Sequence, residues 1–245
     1  MNTQAHIQIR ADQRKPLRRI WRYVGYDEPN YTYTTNGRLR LSKLGQMADA
    51  PYFIRCHFLL CSGDGTGSPK WGSTNVYTED ENGQPVYSWT LVDRILDTIV
   101  ETGNVPFVEL GFMPRALSSA PPDLPYEGAR AEGWRYPPHD YGRWHDLIHE
   151  LARHCLERYG LREVSRWTWE LWNEPDIGYW RGTVEEYGRL YDYTVDGLLA
   201  AIPQAKVGGP GTTSPARPQA GAFLQAFLEH CLRGTNAVTG QSGTR

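Results

Sequence analysis

Along this chain, apolar runs of strand length alternate with segments whose apolar positions recur every three or four residues. R-I-W-R-Y-V-G-Y (19–26), Y-F-I-R-C-H-F-L-L (52–60), V-P-F-V-E-L-G-F (105–112), S-R-W-T-W-E-L-W (165–172) and K-V-G-G (206–209) read as strands. The helical period appears over 38–48, 89–101, 141–159, 184–201 and 221–232. Cap chemistry supports several of these boundaries. Ser88 is placed to cap the second helix, Gly160 to close the third, and Thr183 with Glu186 to form a capping box on the fourth. A glycine- and serine-rich loop runs from Cys61 to about Tyr87, with a small hairpin expected around Glu81-Asn82-Gly83.

Strand then helix, five times over, predicts βα units with parallel strands and right-handed crossovers. The long loops follow strands 2 and 3, at their C-terminal ends, and the short connections lie at the other end. That asymmetry is the habit of a (β/α)8 barrel, whose site is built at the C-terminal face. The fold class expected is therefore α/β, of the TIM-barrel type. Residues 1–245 would form a single partial barrel of about five βα units, with 234–245 as a loose tail. An open doubly wound sheet is the competing architecture, since a barrel needs eight strands.

Charge and composition narrow the partners. The net charge is −2, and the one basic run, R-K-P-L-R-R near the N-terminus, is short, so no nucleic-acid partner is expected. No stretch approaches the length of a membrane span, and the first ten residues lack the apolar core of a signal peptide, which predicts a cytoplasmic protein. Cys56, Cys61, Cys155 and Cys231 lack metal-type spacing, and Cys56 and Cys155 read as small core residues. H-E-L-A-R-H (149–154) has one residue too many for a zinc motif, and G-D-G-T-G-S (63–68) opens no helix, so neither metal nor cofactor is expected. His145 and His149, four apart on a helix, read as a solvated face. Aromatic residues are abundant, with nine Trp and fifteen Tyr. Trp71, Trp134 and Trp180 fall in loops at the expected mouth, where each could stack on a sugar or simply pack the loop.

The fourth strand carries the chemistry. Glu170, Trp172 and Glu174 share one parity, and on the second strand so do Arg55 and His57. If both sets face inward, Arg55 and Glu170 form a buried pair, because either charge alone would be strongly unfavourable there. His57 and Glu174 then sit one layer higher, at the mouth. The strand ends abruptly in Asn173, Glu174 and Pro175.

W-E-L-W-N-E-P resembles the acid/base motif on strand 4 of the retaining glycosidases built on (β/α)8 barrels. Y-V-G-Y-D-E-P-N-Y (23–31), I-R-C-H (54–57), P-F-V-E-L-G-F-M-P (106–114) and V-G-G-P-G-T (207–212) narrow the likeness to glycoside hydrolase family 39, the β-xylosidase and α-L-iduronidase family, over about residues 20–232. The resemblance implies a carbohydrate substrate, with Glu174 as general acid/base and Asn173 holding the sugar 2-hydroxyl. It places His57 and Phe112 near the same subsite, and Trp180 is counted with them. It also implies a Glu nucleophile at the end of a seventh strand, which is expected beyond Arg245, so the chain alone is expected to be inactive. Asp27, Glu28, Asp64 and Glu109 are the upstream carboxylates; nothing promotes one of them to nucleophile, and Asp27 and Glu28 are expected to shape the pocket. The alternatives are a non-catalytic carbohydrate-binding relative or a defective gene fragment. Xyloside, iduronide and arabinoside substrates all stay open.

Overall fold

The structure, a computed structural model, describes residues 5–13, 20–47, 50–65, 72–126 and 131–244. The basic run at 14–19, Trp71 and part of the glycine-rich loop lie outside these residues.

Five parallel strands form the central sheet: β1 (Tyr23–Tyr26), β2 (Phe53–Cys56), β5 (Val105–Leu110), β6 (Thr168–Leu171) and β7 (Lys206–Gly208). The hairpin β3 (Tyr77–Glu79) and β4 (Pro85–Tyr87) stands apart as a two-stranded antiparallel ribbon, turning where Glu81-Asn82-Gly83 predicts. Spatial order in the sheet follows sequence order, β1-β2-β5-β6-β7. Crossovers of one hand between strands laid down in one direction put every connecting helix on the same face. A doubly wound sheet needs a reversal of strand order, and there is none among the described residues. The order therefore decides for the barrel type, present as five of its units.

The helices are α1 (Thr35–Met47), α2 (Thr90–Glu101), α3 (Tyr141–Tyr159), the single turn α4 (Leu161–Val164), α5 (Val184–Ala201) and α6 (Pro218–Arg233). On α3, Trp144, Leu147, Ile148, Leu151, Ala152 and Cys155 are all buried, a stripe at the three-four spacing that sets the helix against the sheet and α5. The Trp144 indole N–H donates to Thr194 Oγ1 of α5 at 2.8 Å, so the one polar atom of that side chain is paired within the packing. Thr183 and Glu186 complete the capping box at the start of α5. α2 departs from expectation: Trp89, not Ser88, occupies the N-cap, and no side chain caps it. The Trp89 ring instead stacks on Tyr87 and His154, so packing takes the place of a cap hydrogen bond. Strands are shorter than the apolar runs, because runs continue into loops that are themselves buried.

The two faces of the sheet differ sharply. Ile54, Cys56, Val108, Leu110, Trp169 and Leu171 point to the helices and are buried. The opposite face carries Arg55, Phe107, Glu109 and Glu170, the alternation a pleated strand imposes. Across that face Glu109 pairs in register with Glu170, and Glu170 with Gly208.

Residues 234–244 are not loose. Asp192 of α5 is fully buried and accepts hydrogen bonds from His230 Nε2 at 3.0 Å, from the Ala237 N–H at 2.8 Å and from the Thr244 hydroxyl. A buried carboxylate requires such partners. The segment folds back to supply two of them. Among the described residues, no helix is long and apolar enough to cross a membrane.

Candidate active site at the ends of the strands

Arg55 is the centre of the site. Its Nε donates to Glu170 Oε2 at 2.5 Å, its Nη2 to Asn173 Oδ1 at 3.1 Å, and its Nη1 to His57 Nε2. A guanidinium donates only, so His57 Nε2 must be the acceptor. The proton of the neutral imidazole then sits on Nδ1, which lies 3.1 Å from Asp27 Oδ1. The same reasoning fixes the Asn173 amide: its oxygen meets Arg55, and its NH₂ is turned the other way. A chain of five side chains, Asp27–His57–Arg55–Glu170/Asn173, thus joins β1, β2 and β6 ends.

The pair expected between Arg55 and Glu170 is present. Burial raises the Glu170 carboxyl above the ordinary carboxylate value, and Arg55 opposes that rise. Burial disfavours the charge on Arg55 too, but Glu109 and Glu170 outweigh it and hold the guanidinium protonated.

Glu174 is half-buried at the end of this chain of contacts, and among the described residues its carboxyl has no partner. Its N–H donates to the Gly211 carbonyl at 2.8 Å, and Asn173 pairs with Gly211 in an isolated parallel bridge. A Cβ at Gly211 would lie 2.8 Å from Glu170 Oε1 and 3.4 Å from Arg55 Nη2, so a larger residue there would displace the Glu170 carboxylate.

Three expectations change. Trp172 does not share a side with Glu170 and Glu174, because β6 ends at Leu171 and the backbone turns left-handed, with φ of +64° at Trp172 and +45° at Glu174. Phe112 is wholly buried, ringed by Phe58, Trp134, Trp172 and Tyr179, and offers no ring face to a ligand. Trp180 is 5% exposed, packs edge-on against Trp172 and Tyr187, and donates its indole N–H to the Thr183 carbonyl. Trp134 is buried in the same cluster. Long loops at one end of a sheet must bury apolar surface of their own, and these aromatics do that for the loops after β2, β5 and β6. His57 is at the mouth as expected, but both its ring nitrogens are engaged within the protein.

Two further carboxyl groups, Glu109, named in the sequence only among the upstream carboxylates, and Asp176, border the site. Glu109 is fully buried, neither of its oxygens has a hydrogen-bond partner, and its carboxyl is pushed up to about 8, by burial first and by Glu170 and Asp27 second, against the pull of Arg55. A lone acid in the otherwise apolar V-P-F-V-E-L-G was the available signal. Asp176, 3% exposed, accepts from the Thr213 N–H at 2.9 Å and from Thr213 Oγ1 at 2.6 Å. Among the described residues, no group of three or more His, Cys, Asp or Glu is placed to hold a metal ion.

Comparison with known proteins gives a consistent result. Residues 5–240 match the profile of the glycosyl hydrolases family 39. A β-xylosidase of Geobacillus stearothermophilus is 32% identical over 230 residues, covering 92% of this chain and 42% of the relative. The α-L-iduronidase of Homo sapiens is 30% identical over 242 residues, 94% of this chain and 33% of the relative. A solved bacterial orthologue of human α-L-iduronidase superposes with a TM-score of 0.69 at 27% identity, over 94% of this chain and 32% of that one. The chain thus spans less than half the length of these relatives.

Proposed function

Because the chain belongs to glycosyl hydrolases family 39, we propose that it is the part of a retaining glycoside hydrolase that supplies the general acid/base, Glu174. The observation that carries this reading is the setting of Glu174: a half-buried carboxyl without a partner among the described residues, next to an amide whose orientation is fixed. An acid/base must give up and regain a proton freely, so a carboxyl committed to an ion pair would be unsuited to it. Glu170, four residues earlier on β6, is committed to Arg55 and is the structural carboxylate of the two.

In the first step Glu174 protonates the glycosidic oxygen while a second carboxylate attacks the anomeric carbon. In the second step Glu174 takes a proton from water, which releases the sugar with retention. The second carboxylate must stand about 5–5.5 Å from the first. We assign it to the portion of the family's length that this chain does not span. The Asn173 NH₂, held by Arg55, donates to a sugar hydroxyl, and His57 borders the same space.

We propose a β-xyloside as the substrate. Arg55, the guanidinium touching Asn173, is already matched by Glu170. A neutral sugar needs no further cation, whereas a uronic acid does.

Replacing Glu174 by Gln in the whole gene product tests this. Hydrolysis of glycosides with poor leaving groups is expected to fall about 10²–10⁴-fold. Activated aryl glycosides, which need no proton to depart, are expected to keep their glycosylation rate. Equal and unchanged rates on both would overturn the assignment.

A further inference from the structure

Glu174 stands in a backbone that an isolated chain would not hold. Trp172 and Glu174 both have left-handed φ, +64° and +45°, on either side of Asn173. Residues with a Cβ avoid that region, and they persist there only where the surroundings impose it. Three contacts impose it here. The Trp172 indole N–H donates to the Tyr179 carbonyl at 2.9 Å. The Glu174 N–H donates to the Gly211 carbonyl at 2.8 Å. The third contact lies just past Pro175, where the carboxylate of Asp176 takes both donors of one residue, Thr213, through its two oxygens. The Asp176 carbonyl accepts in addition from the Gln219 amide.

A carboxylate buried to this degree is costly unless its hydrogen bonds are strong. Two charge-assisted bonds to Thr213 meet that cost, and they join the loop that carries Glu174 to the loop that follows β7. Nothing else about Asp176 calls for a charge at this place.

We propose that Asp176 is a positioning residue for Glu174: through Thr213 it staples the turn 172–176 to the segment 210–219 and thereby sets the orientation of the Glu174 carboxyl. This rests on the reading of Glu174 as the acid/base. Asparagine can keep both contacts, its Oδ1 accepting from the Thr213 N–H and its NH₂ donating to the Thr213 hydroxyl, but it removes the charge that makes both bonds strong. Ser at 213 keeps both donors, and Val keeps only the N–H.

The test is carried out in the whole gene product with Thr213→Val, Thr213→Ser, Asp176→Asn and Glu174→Gln, measuring kcat and KM on aryl and alkyl glycosides of graded leaving-group ability, with thermal melting alongside. Thr213→Val and Asp176→Asn are each expected to lower kcat on poor leaving groups about 10-fold, with KM within about two-fold, the first by losing one of the two bonds and the second by weakening both, since a small misplacement of a catalytic group costs on this scale or more. Both variants are expected to steepen the leaving-group dependence in the direction of Glu174→Gln, and Thr213→Ser is expected to restore it. A lowered melting temperature with the wild-type leaving-group dependence, or a Thr213→Ser variant that does not recover, overturns the proposal. If Asp176→Asn does not fold, Thr213→Val decides alone. A steep dependence for Glu174→Gln with none for Thr213→Val sinks the staple and leaves the acid/base reading standing. A flat response for Glu174→Gln itself sinks both.

Discussion

Arg55 spends its three donor positions on Glu170, His57 and Asn173, and no other cationic side chain has that geometry. Lysine would keep the charge but, as a point donor, could not reach all three acceptors at once. Arg55→Lys is therefore expected to destabilise the fold by about 1–3 kcal/mol, the cost of leaving buried acceptors unpaired. It should also free the Asn173 amide to turn. Urea unfolding of the two proteins measures this; equal midpoints would mean that the fork geometry carries no stability. The Arg55–Glu170 pair was legible in the sequence, because strand parity put both on one face and an unpaired charge there is too costly. Trp172 was not, because parity presumes a regular strand and the left-handed turn after Leu171 breaks it. The burial of Phe112, at the end of its strand run, and of Trp180, in its loop, was not legible either. An aromatic residue at a strand end or in a loop looks the same in sequence whether it faces a sugar or fills the space beneath the loop.

At the scale of elements, the alternation of strand and helix was legible almost throughout, and α3 and α5 begin and end where their periodicity and caps predict. The C-terminal segment was not, since its anchor, Asp192, lies 38 residues before His230 and 52 before Thr244. No local pattern connects positions so far apart. Its turn-rich composition describes the bends of the segment correctly but says nothing of what the bends are tied to. Replacing Asp192 by Asn should leave α5 helical while weakening the two bonds, from the Ala237 N–H and the Thr244 hydroxyl, by which Asp192 holds 234–244. Limited proteolysis is then expected to cut within that segment first, well before any cut elsewhere. A digestion pattern identical to the parent protein would show that Asp192 does not hold it.

For the whole molecule, the buried acid Glu109 couples folding to pH. Its carboxyl titrates near 8 in the folded chain but near its ordinary 4.5 when unfolded. Between those values the folded state holds the proton and the unfolded state does not. Stability is therefore full below about 4.5 and is lost as pH rises towards 8. The loss is on the order of a few kcal/mol. Glu109→Gln, which stays neutral, is expected to flatten that slope and to be the more stable protein at pH 8. Parallel slopes in denaturation measured from pH 5 to pH 8 would refute it. The aromatic cluster beneath the loops has a consequence of another kind. Phe112, Trp134, Trp172 and Tyr179 lie with ring centroids 4.5 to 5.8 Å apart, and Trp180 adds a further ring against Trp172. Indoles held so close and so rigidly absorb as a coupled, chiral array, and near-ultraviolet circular dichroism records it. The loops after β2, β5 and β6 therefore carry their own optical gauge. Any slackening of the turn at Trp172 would dim that signal while the backbone bands of the barrel units stayed unchanged.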